Sequence, residues 1–381
     1  MRNFDTLVVG GGLVGSAIAY GIARRGGSVA LIDEGDVAVR ASRGNFALVW
    51  VQGKGDGMPR YGAWTRRSAD LWPDFAGALM DRTGIDVLYE RPGGIWLCFD
   101  EDEMAERQGL MARLKAKAEP SGYDYEMLDQ GAMSRMLPGL GPDLPGGSYC
   151  PHDGHCGSLH LFRALHAALL GLGGRYLPDR RVTDIRARAD SFTVITSRGE
   201  IQGGRLVLAA GHANAWLAPK IGLRAPVKPE RGQVLVTERF EPLIPLPTSH
   251  VRQSHEGTIM IGDSHEDVEF DDRSTVQAMA HMADRARRIF PFLARARIVR
   301  AWGCLRIMPP DGFAIYDRSP DHPNAYTVSC HSGVTLAAVH AEKLAGWICD
   351  GALPDEIACF SAKRFAPAEA ARQRRTDAHV L

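Results

Sequence analysis

The sequence has no pair of cysteines at Cys-x-x-Cys spacing, and its seven cysteines (98, 150, 156, 304, 330, 349 and 359) are odd in number and widely scattered. That pattern fits reduced thiols better than a disulfide framework, so a cytoplasmic location is expected. Charge of one sign is also lacking, since Lys plus Arg and Asp plus Glu both number 45. A chain without a net field has no long-range attraction to nucleic acid or to an anionic membrane, and neither is expected as a partner. Long apolar runs are missing as well. The best candidate, LVVGGGLVGSAIAYGIARRGG at 7–27, is broken by glycines and too short for a comfortable span, and it has little of the charged lead of a signal peptide. No transmembrane segment is expected. One tight group, CPHDGHC at 150–156, carries two cysteines and two histidines. Its spacing matches no common zinc pattern and no second cluster completes a ligand set, so no metal is expected.

What is present is an ordinary soluble composition, 45% hydrophobic and 24% charged, over 381 residues. That length exceeds what one hydrophobic core usually serves, so two domains are the default. FDTLVVGGGLVGSAIAYGIARRGGSVALIDE (4–34) reads as strand, glycine turn, helix and strand. Gly10-x-Gly12-x-x-Gly15 sits at the first turn, and Asp33 follows Gly12 by 21 residues at the end of the second strand. Gly10 permits the tight turn, Gly12 lets the backbone approach a pyrophosphate, and Gly15 brings the helix onto the strand. Asp33 is then placed to accept a hydrogen bond from a ribose hydroxyl. The chain does not continue as a second run of βαβ units. Instead VRASRGNFALVWVQGKGDG (39–57) follows, a loop whose amides, with Ser42 and Asn45, could wrap more of a dinucleotide or simply be exposed.

Further along, apolar alternation predicts strands in 86–100 and a charged amphipathic helix in 101–120, then a proline-rich connection to about 148. A helix is expected in 158–174, β-type runs in 181–199, and a buried strand ending in Ala-Ala-Gly at 209–211. Strands recur in 233–239 and 258–270, with a helix near 274–290. The closing AYTVSCHSGVTLAAVHAEKLAGWICDG (325–351) reads as strand, Ser-Gly turn and long helix, and the last 15 residues as a solvated tail.

Four segments in this order, Gly10–Asp33, Ser42–Asn45, RLVLAAGHANAWL (205–217), and WGCLRIMPPDG with CHSGVTLAAVHAEKLAGWI, resemble the FAD-dependent D-amino-acid oxidase superfamily, which includes glycine and sarcosine oxidases. Within it, the 41–72 stretch looks most like the β subunits of hetero-oligomeric dehydrogenases: opine oxidase, hydrogen cyanide synthase and the proline and hydroxyproline dehydrogenases. The resemblance implies an α/β fold: a Rossmann-like FAD-binding domain (1–84, 149–217 and 301–381) and a mixed-sheet substrate domain made by two insertions (85–148 and 218–300). It implies FAD oxidation of the C–N bond beside a carboxylate by hydride transfer from the α-carbon to the flavin, followed by imine hydrolysis. It also implies partner subunits carrying FMN or an iron–sulfur centre; a stand-alone oxidase using oxygen and a non-catalytic electron-transfer subunit are the alternatives.

The site residues follow from the same resemblance. Arg306 falls where relatives place the arginine that clamps the substrate carboxylate, a task suited to a planar, bidentate guanidinium. His250 falls where many relatives carry a carboxylate-binding tyrosine, and Arg252 is a candidate second cation for a dicarboxylate opine. For the cofactor the expected contacts are Gly10, Gly12, Leu13, Val14, Gly15, Asp33, Glu34, Ser42, Arg43, Asn45, Phe46, Val182, Ala210 and Gly211. At the last turn they are His331, Ser332, Gly333, Val334 and Thr335. Trp50 and Lys54 could line the flavin face or pack. Cys304 precedes Asp311 by seven residues, as does the flavin-linked cysteine of monomeric sarcosine oxidases, yet its flanks resemble the non-covalent relatives. A buried free thiol is the favoured expectation, with a covalent thioether the alternative.

Overall fold

Residues 3–35, 40–118, 122–262 and 264–365 are described by a computed structural model of the chain. The expected C-terminal tail lies outside them. The apolar runs read from the sequence meet in one sheet. Its strands lie in the order Ile315–Arg318, Ala325–Ser329, Gly199–Leu208, Asn3–Val9, Val29–Ile32 and Arg175–Leu177. Neighbours run parallel except at the first pair, and a hairpin, Val182–Ala187 with Phe192–Thr196, adds antiparallel strands to Gly199–Leu208. Period-two alternation gives the sheet two apolar faces. Val8, Leu31 and Val207 pack with Ile18, Ile22 and Leu344 on one side. Leu7, Val9, Ala30, Ile32, Leu206 and Leu208 face Phe192, Val194, Leu217 and Ile221 on the other.

The first face is covered by the helices Leu13–Ala23, Pro59–Thr83 and Ser158–Gly171, and by the helical run that ends at Asp350. Pro73 lies inside the helix Pro59–Thr83 and cannot donate to the carbonyl four residues back. That carbonyl, on Ala69, instead receives Arg91 Nη1 at 3.5 Å. The closing helix is not continuous. Its turn at His340–Leu344 is a π-type turn, which the sequence reading did not anticipate.

Strands from residues 94–150 and 228–308, the last running past the expected boundary at 300, build a second, antiparallel layer. Four strands lie in the order Val251–Gln253, Thr258–Ile261, Lys228–Arg239 and Ile298–Met308, and three more as Gly94–Cys98, Gly146–Cys150 and Glu126–Asp129. A parallel bridge between Ile95 and Thr248 joins the two sets, the one mixed element of this layer among the described residues. The helix Val276–Ile289 has a buried stripe of Met282, Ala286 and Ile289 that packs on Leu235, Val251, Ile259 and Ile261. The expected loop to 148 is in part incorrect, because it holds Glu126–Asp129, the helix Gln130–Met136 and Gly146–Cys150. These elements are four to seven residues long, and GGSYC has no β-branched residue, so neither period nor propensity reveals them. The α/β fold class expected from the sequence is the one observed.

Candidate cofactor and substrate site

The carboxyl ends of the parallel strands open onto a cavity of about 610 Å³, within the size range of ligand sites. Gly10–Gly12, Val14, Asp33, Glu34, Ser42, Arg43, Val182, Ala210 and Gly211 line it, all but Gly11 being expected cofactor contacts. Gly10 has φ +105°, and a Cβ there would sit 2.3 Å from the Ala209 carbonyl oxygen, so glycine alone permits the turn. Gly15 packs on the Gly10 carbonyl behind this turn. Leu13 is buried in the core and contributes its backbone N–H, which donates to Ser42 Oγ at 2.9 Å. Asp33 accepts from Gly11 N–H at 2.7 Å and Gly35 N–H at 2.9 Å, which fixes its carboxylate at the rim. Glu34 pairs with Arg40 at 2.9 Å. A glycine cradle beside a helix N-terminus and a fixed acid suits a dinucleotide pyrophosphate and ribose, so these residues fit FAD.

The strand Ile298–Met308 forms the far wall. Leu305 and Ile307 face the cavity, while Trp302, Cys304 and Arg306 share the opposite face. Trp302 Nε1 and Cys304 Sγ both donate to the Gly44 carbonyl, at 3.0 and 3.3 Å. In register, Glu230 lies opposite Arg306 and Gly232 opposite Cys304. The Arg306 guanidinium lies flat over Gly232, where a Cβ would be 2.6 Å from its central carbon. Its Nη1 donates to Glu230 Oε1 at 3.0 Å and to the Ser264 carbonyl at 2.7 Å. Among the described residues Nε and Nη2 carry no hydrogen bond, so one fork edge is free to meet a carboxylate. His265 and Arg306 together hold the Glu230 carboxyl below its ordinary range.

At the last turn, Ser332 Oγ receives Lys54 Nζ at 3.0 Å and the Tyr61 hydroxyl at 3.1 Å. Burial lowers Lys54 to about 8, with Asp153, Arg306 and Cys330 its charged or titratable neighbours. His331 is pushed well below its usual value by burial, then by Lys54 and Arg306. Cys330 lines the cavity beside them. Cys304 is buried, and burial raises its thiol.

Several expected residues act at one remove. Asn45 donates to the Ala41 and Ser42 carbonyls at 3.1 and 2.9 Å and accepts from Ala47 N–H at 2.8 Å, shaping the loop. The Phe46 carbonyl takes Arg252 Nε at 2.6 Å. Gly333 packs near Val14, Val334 is core, and Thr335 accepts from Trp50 N–H at 3.0 Å. His250 is buried against the rings of Trp96 and Phe99, with Ser249 Oγ at 2.7 Å. Arg252 uses every nitrogen: Nε on Phe46, Nη1 with His155 at 3.5 Å, and Nη2 on Met260 Sδ at 2.9 Å. No group of three or more His, Cys, Asp or Glu among the described residues could hold a metal ion. No helix among them is long and apolar enough to cross a membrane.

Sequence reasoning missed Glu230 and the supports of the 51–54 loop. Asp153 Oδ1 accepts from Val51 N–H at 2.5 Å and Gln52 N–H at 3.2 Å, while its Oδ2 has no partner and burial lifts its carboxyl to about 7. Arg107 donates to Gln52 Oε1 and Ser148 Oγ, both at 2.7 Å, and stacks 4.5 Å from the Trp96 ring. Arg107, Met111 and Leu114 are the buried positions of the helix Glu101–Ala116, so a cation at helical spacing with two apolar residues was the available signal.

Comparison with known proteins bears on this site. The profile of the FAD dependent oxidoreductase family matches residues 5–347. An opine oxidase subunit of Agrobacterium tumefaciens (strain Ach5) is 43% identical over 366 residues, covering 96% of this chain and 98% of the relative. The corresponding opine oxidase subunit of Rhizobium meliloti is 40% identical, again covering 96% and 98%. Among solved structures, glycine oxidase from Geobacillus kaustophilus superposes with a TM-score of 0.87 at 24% identity, covering 95% of this chain and 98% of the other. That last likeness is one of fold.

Proposed function

The chain belongs to the FAD-dependent oxidoreductase family, and from that membership we propose that it oxidises the C–N bond of an opine-type amino-acid carboxylate as the flavin subunit of a larger dehydrogenase. Its class, an oxidoreductase acting on amines or amino acids, is shared with the opine and glycine oxidase relatives. The observation that carries the finer reading is the free fork edge of Arg306, aimed from a strand whose other face lines the cofactor cavity. When bound, FAD supplies the oxidising power, taking up two electrons and the substrate's α-hydrogen. Gly10–Gly12, Asp33 and Ser42 would hold its nucleotide end, and Ala210–Gly211 with Cys330–Ser332 its inner end.

Orientation is then the task of this chain's own residues. Glu230 and the Ser264 carbonyl fix Nη1 of Arg306, leaving Nε and Nη2 to take the substrate carboxylate in one plane. The Cys304 thiol, donating to the Gly44 carbonyl, supports non-covalent FAD. Acid precipitation tests this: the yellow colour should leave with the supernatant, and a yellow pellet would reverse the assignment. Both opine oxidase relatives are subunits, which supports partner subunits here; the proposal gives such a partner an FMN or an iron–sulfur centre to accept the electrons. The seven cysteines, none of them in a disulfide, support a cytoplasmic location.

The reading is tested on the purified chain. It should be yellow, and opines should bleach it without oxygen. A colourless protein, or a flavin no amine carboxylate reduces, would overturn the reading. Arg306→Leu should keep the flavin but raise KM for carboxylate substrates about tenfold to a hundredfold, the worth of a charged hydrogen-bonded pair. An unchanged KM would remove the clamp.

A further inference from the structure

Arg306 accounts for one anion, and its charge bears on a second buried cation, Lys54. Lys54 lies on the loop that crosses from the cofactor domain toward the substrate layer. Asp153, Arg107 and the Tyr123 hydroxyl, which accepts from Gly53 N–H at 2.7 Å, hold that loop just before Lys54. Its ammonium points to Ser332 Oγ, a neutral partner, and no carboxylate touches it among the described residues. It lies close enough to Arg306 for the two charges to oppose each other, and both bear on His331. Lys54 and Arg306 repel each other, and among the described residues the single carboxylate that touches either of them belongs to Arg306, which leaves this region short of negative charge.

The other buried cations do not supply the missing contact. Arg252, the second cation expected from the sequence, spends all its nitrogens on Phe46, Met260 and His155. Arg107 is wedged between Gln52, Ser148 and the Trp96 ring and acts as a tie for the loop.

We propose that Lys54 is the second anion contact of the substrate site: its ammonium takes the carboxylate on the far side of a secondary amine whose first carboxylate is held by Arg306. The inference rests on the functional reading above and sharpens it to a substrate in which two carboxylates flank one nitrogen. Ser332 and Tyr61 position the ammonium, so the turn that approaches the cofactor also sets the reach of the second clamp.

The groups facing Lys54 are Asp153 from the 150–154 turn, Arg306 from the 298–308 strand, and Cys330 and His331 from the last turn. Tyr61 reaches it through Ser332, and Lys117 lines a small recess beside it. Of these, Lys54 is the group that loses positive charge near pH 8, so binding of the second carboxylate should weaken above that pH.

The test uses the flavin-loaded protein and two thioethers in which sulfur replaces the amine, so that neither turnover nor amine titration intervenes. Thiodiglycolate carries both carboxylates and (methylthio)acetate only one; each is titrated against the flavin absorbance. The wild type should prefer thiodiglycolate about tenfold to a hundredfold at pH 7. That preference should fall about tenfold per pH unit above 8, as one proton is lost. Lys54→Met should erase both the preference and its pH dependence, and Lys54→Arg should keep the preference and flatten its decline. A wild type without the preference, or a Lys54→Met variant that retains it with a normal flavin spectrum, overturns the assignment. Failure of opines to bleach the flavin would instead count against the functional reading, which the thioether titration does not use.

Discussion

Glu230 decides how Arg306 is used. A guanidinium with no fixed partner samples many orientations, and binding a carboxylate must then order it. With Nη1 bonded to Glu230 and Ser264, the open edge is set before substrate arrives. Glu230→Gln keeps a hydrogen-bond acceptor but loses the charge, so KM for a carboxylate substrate should rise about tenfold with flavin content retained. Steady-state kinetics with the flavin spectrum as control checks it. Asp153 carries a pH signature of a different kind. Its folded carboxyl titrates near 7, against 3.8 as the ordinary value, so the folded state holds the proton more tightly than the unfolded chain. Its contribution is complete below about pH 4 and is lost as pH rises through 7. Asp153→Asn removes this loss, so the melting temperature of the variant minus that of the wild type should increase from pH 5 to 8. Parallel curves would refute it.

At the scale of elements, the nucleotide half was far more legible than the substrate half. The strand, glycine turn and helix of residues 3–32 combine short apolar runs with a spacing whose chemistry is specific, and each element is observed where it was read. Arg306 was found through its neighbours in a resembling segment. Glu230 was not, because only the register of Lys228–Arg239 against Ile298–Met308 brings the two together, across 76 residues of chain. Lys54 was seen only as a choice between lining and packing, since its orientation depends on the fold of Asp153, Arg107 and Tyr123 around its loop. Two glycines allow tests at this scale. Gly10→Ala places a methyl against the Ala209 carbonyl and should give a soluble but colourless protein. Gly232→Ala pushes on the Arg306 guanidinium instead, so it should spare the colour and raise KM. Reversed phenotypes would break the assignment of the two glycines to cofactor and substrate.

For the whole molecule, the two layers meet along Ile298–Met308, which borders the cofactor cavity on one face and carries Arg306, the proposed carboxylate clamp, on the other. The opine oxidase relatives, themselves subunits, match nearly the entire length, and the proposed function has electrons leave toward a partner and not toward oxygen. After anaerobic reduction by substrate, an artificial dye should therefore recolour the isolated chain faster than air does. Stopped-flow mixing with each acceptor measures this, and faster recovery in air would favour an independent oxidase.

The two-sided strand also bears on how the protein can change over generations. Side chains alternate along it, with Leu305 and Ile307 toward the cavity and Cys304 and Arg306 away. Gain or loss of a single residue between Gly303 and Arg306 would exchange the two sets, driving a guanidinium into the cofactor space and an aliphatic chain onto Glu230. Both sites would fail together. Descendants of this chain can therefore vary the side chains around Arg306 in this stretch while its length stays frozen, and new substrates must be reached by substitution or by remodelling the loops outside it.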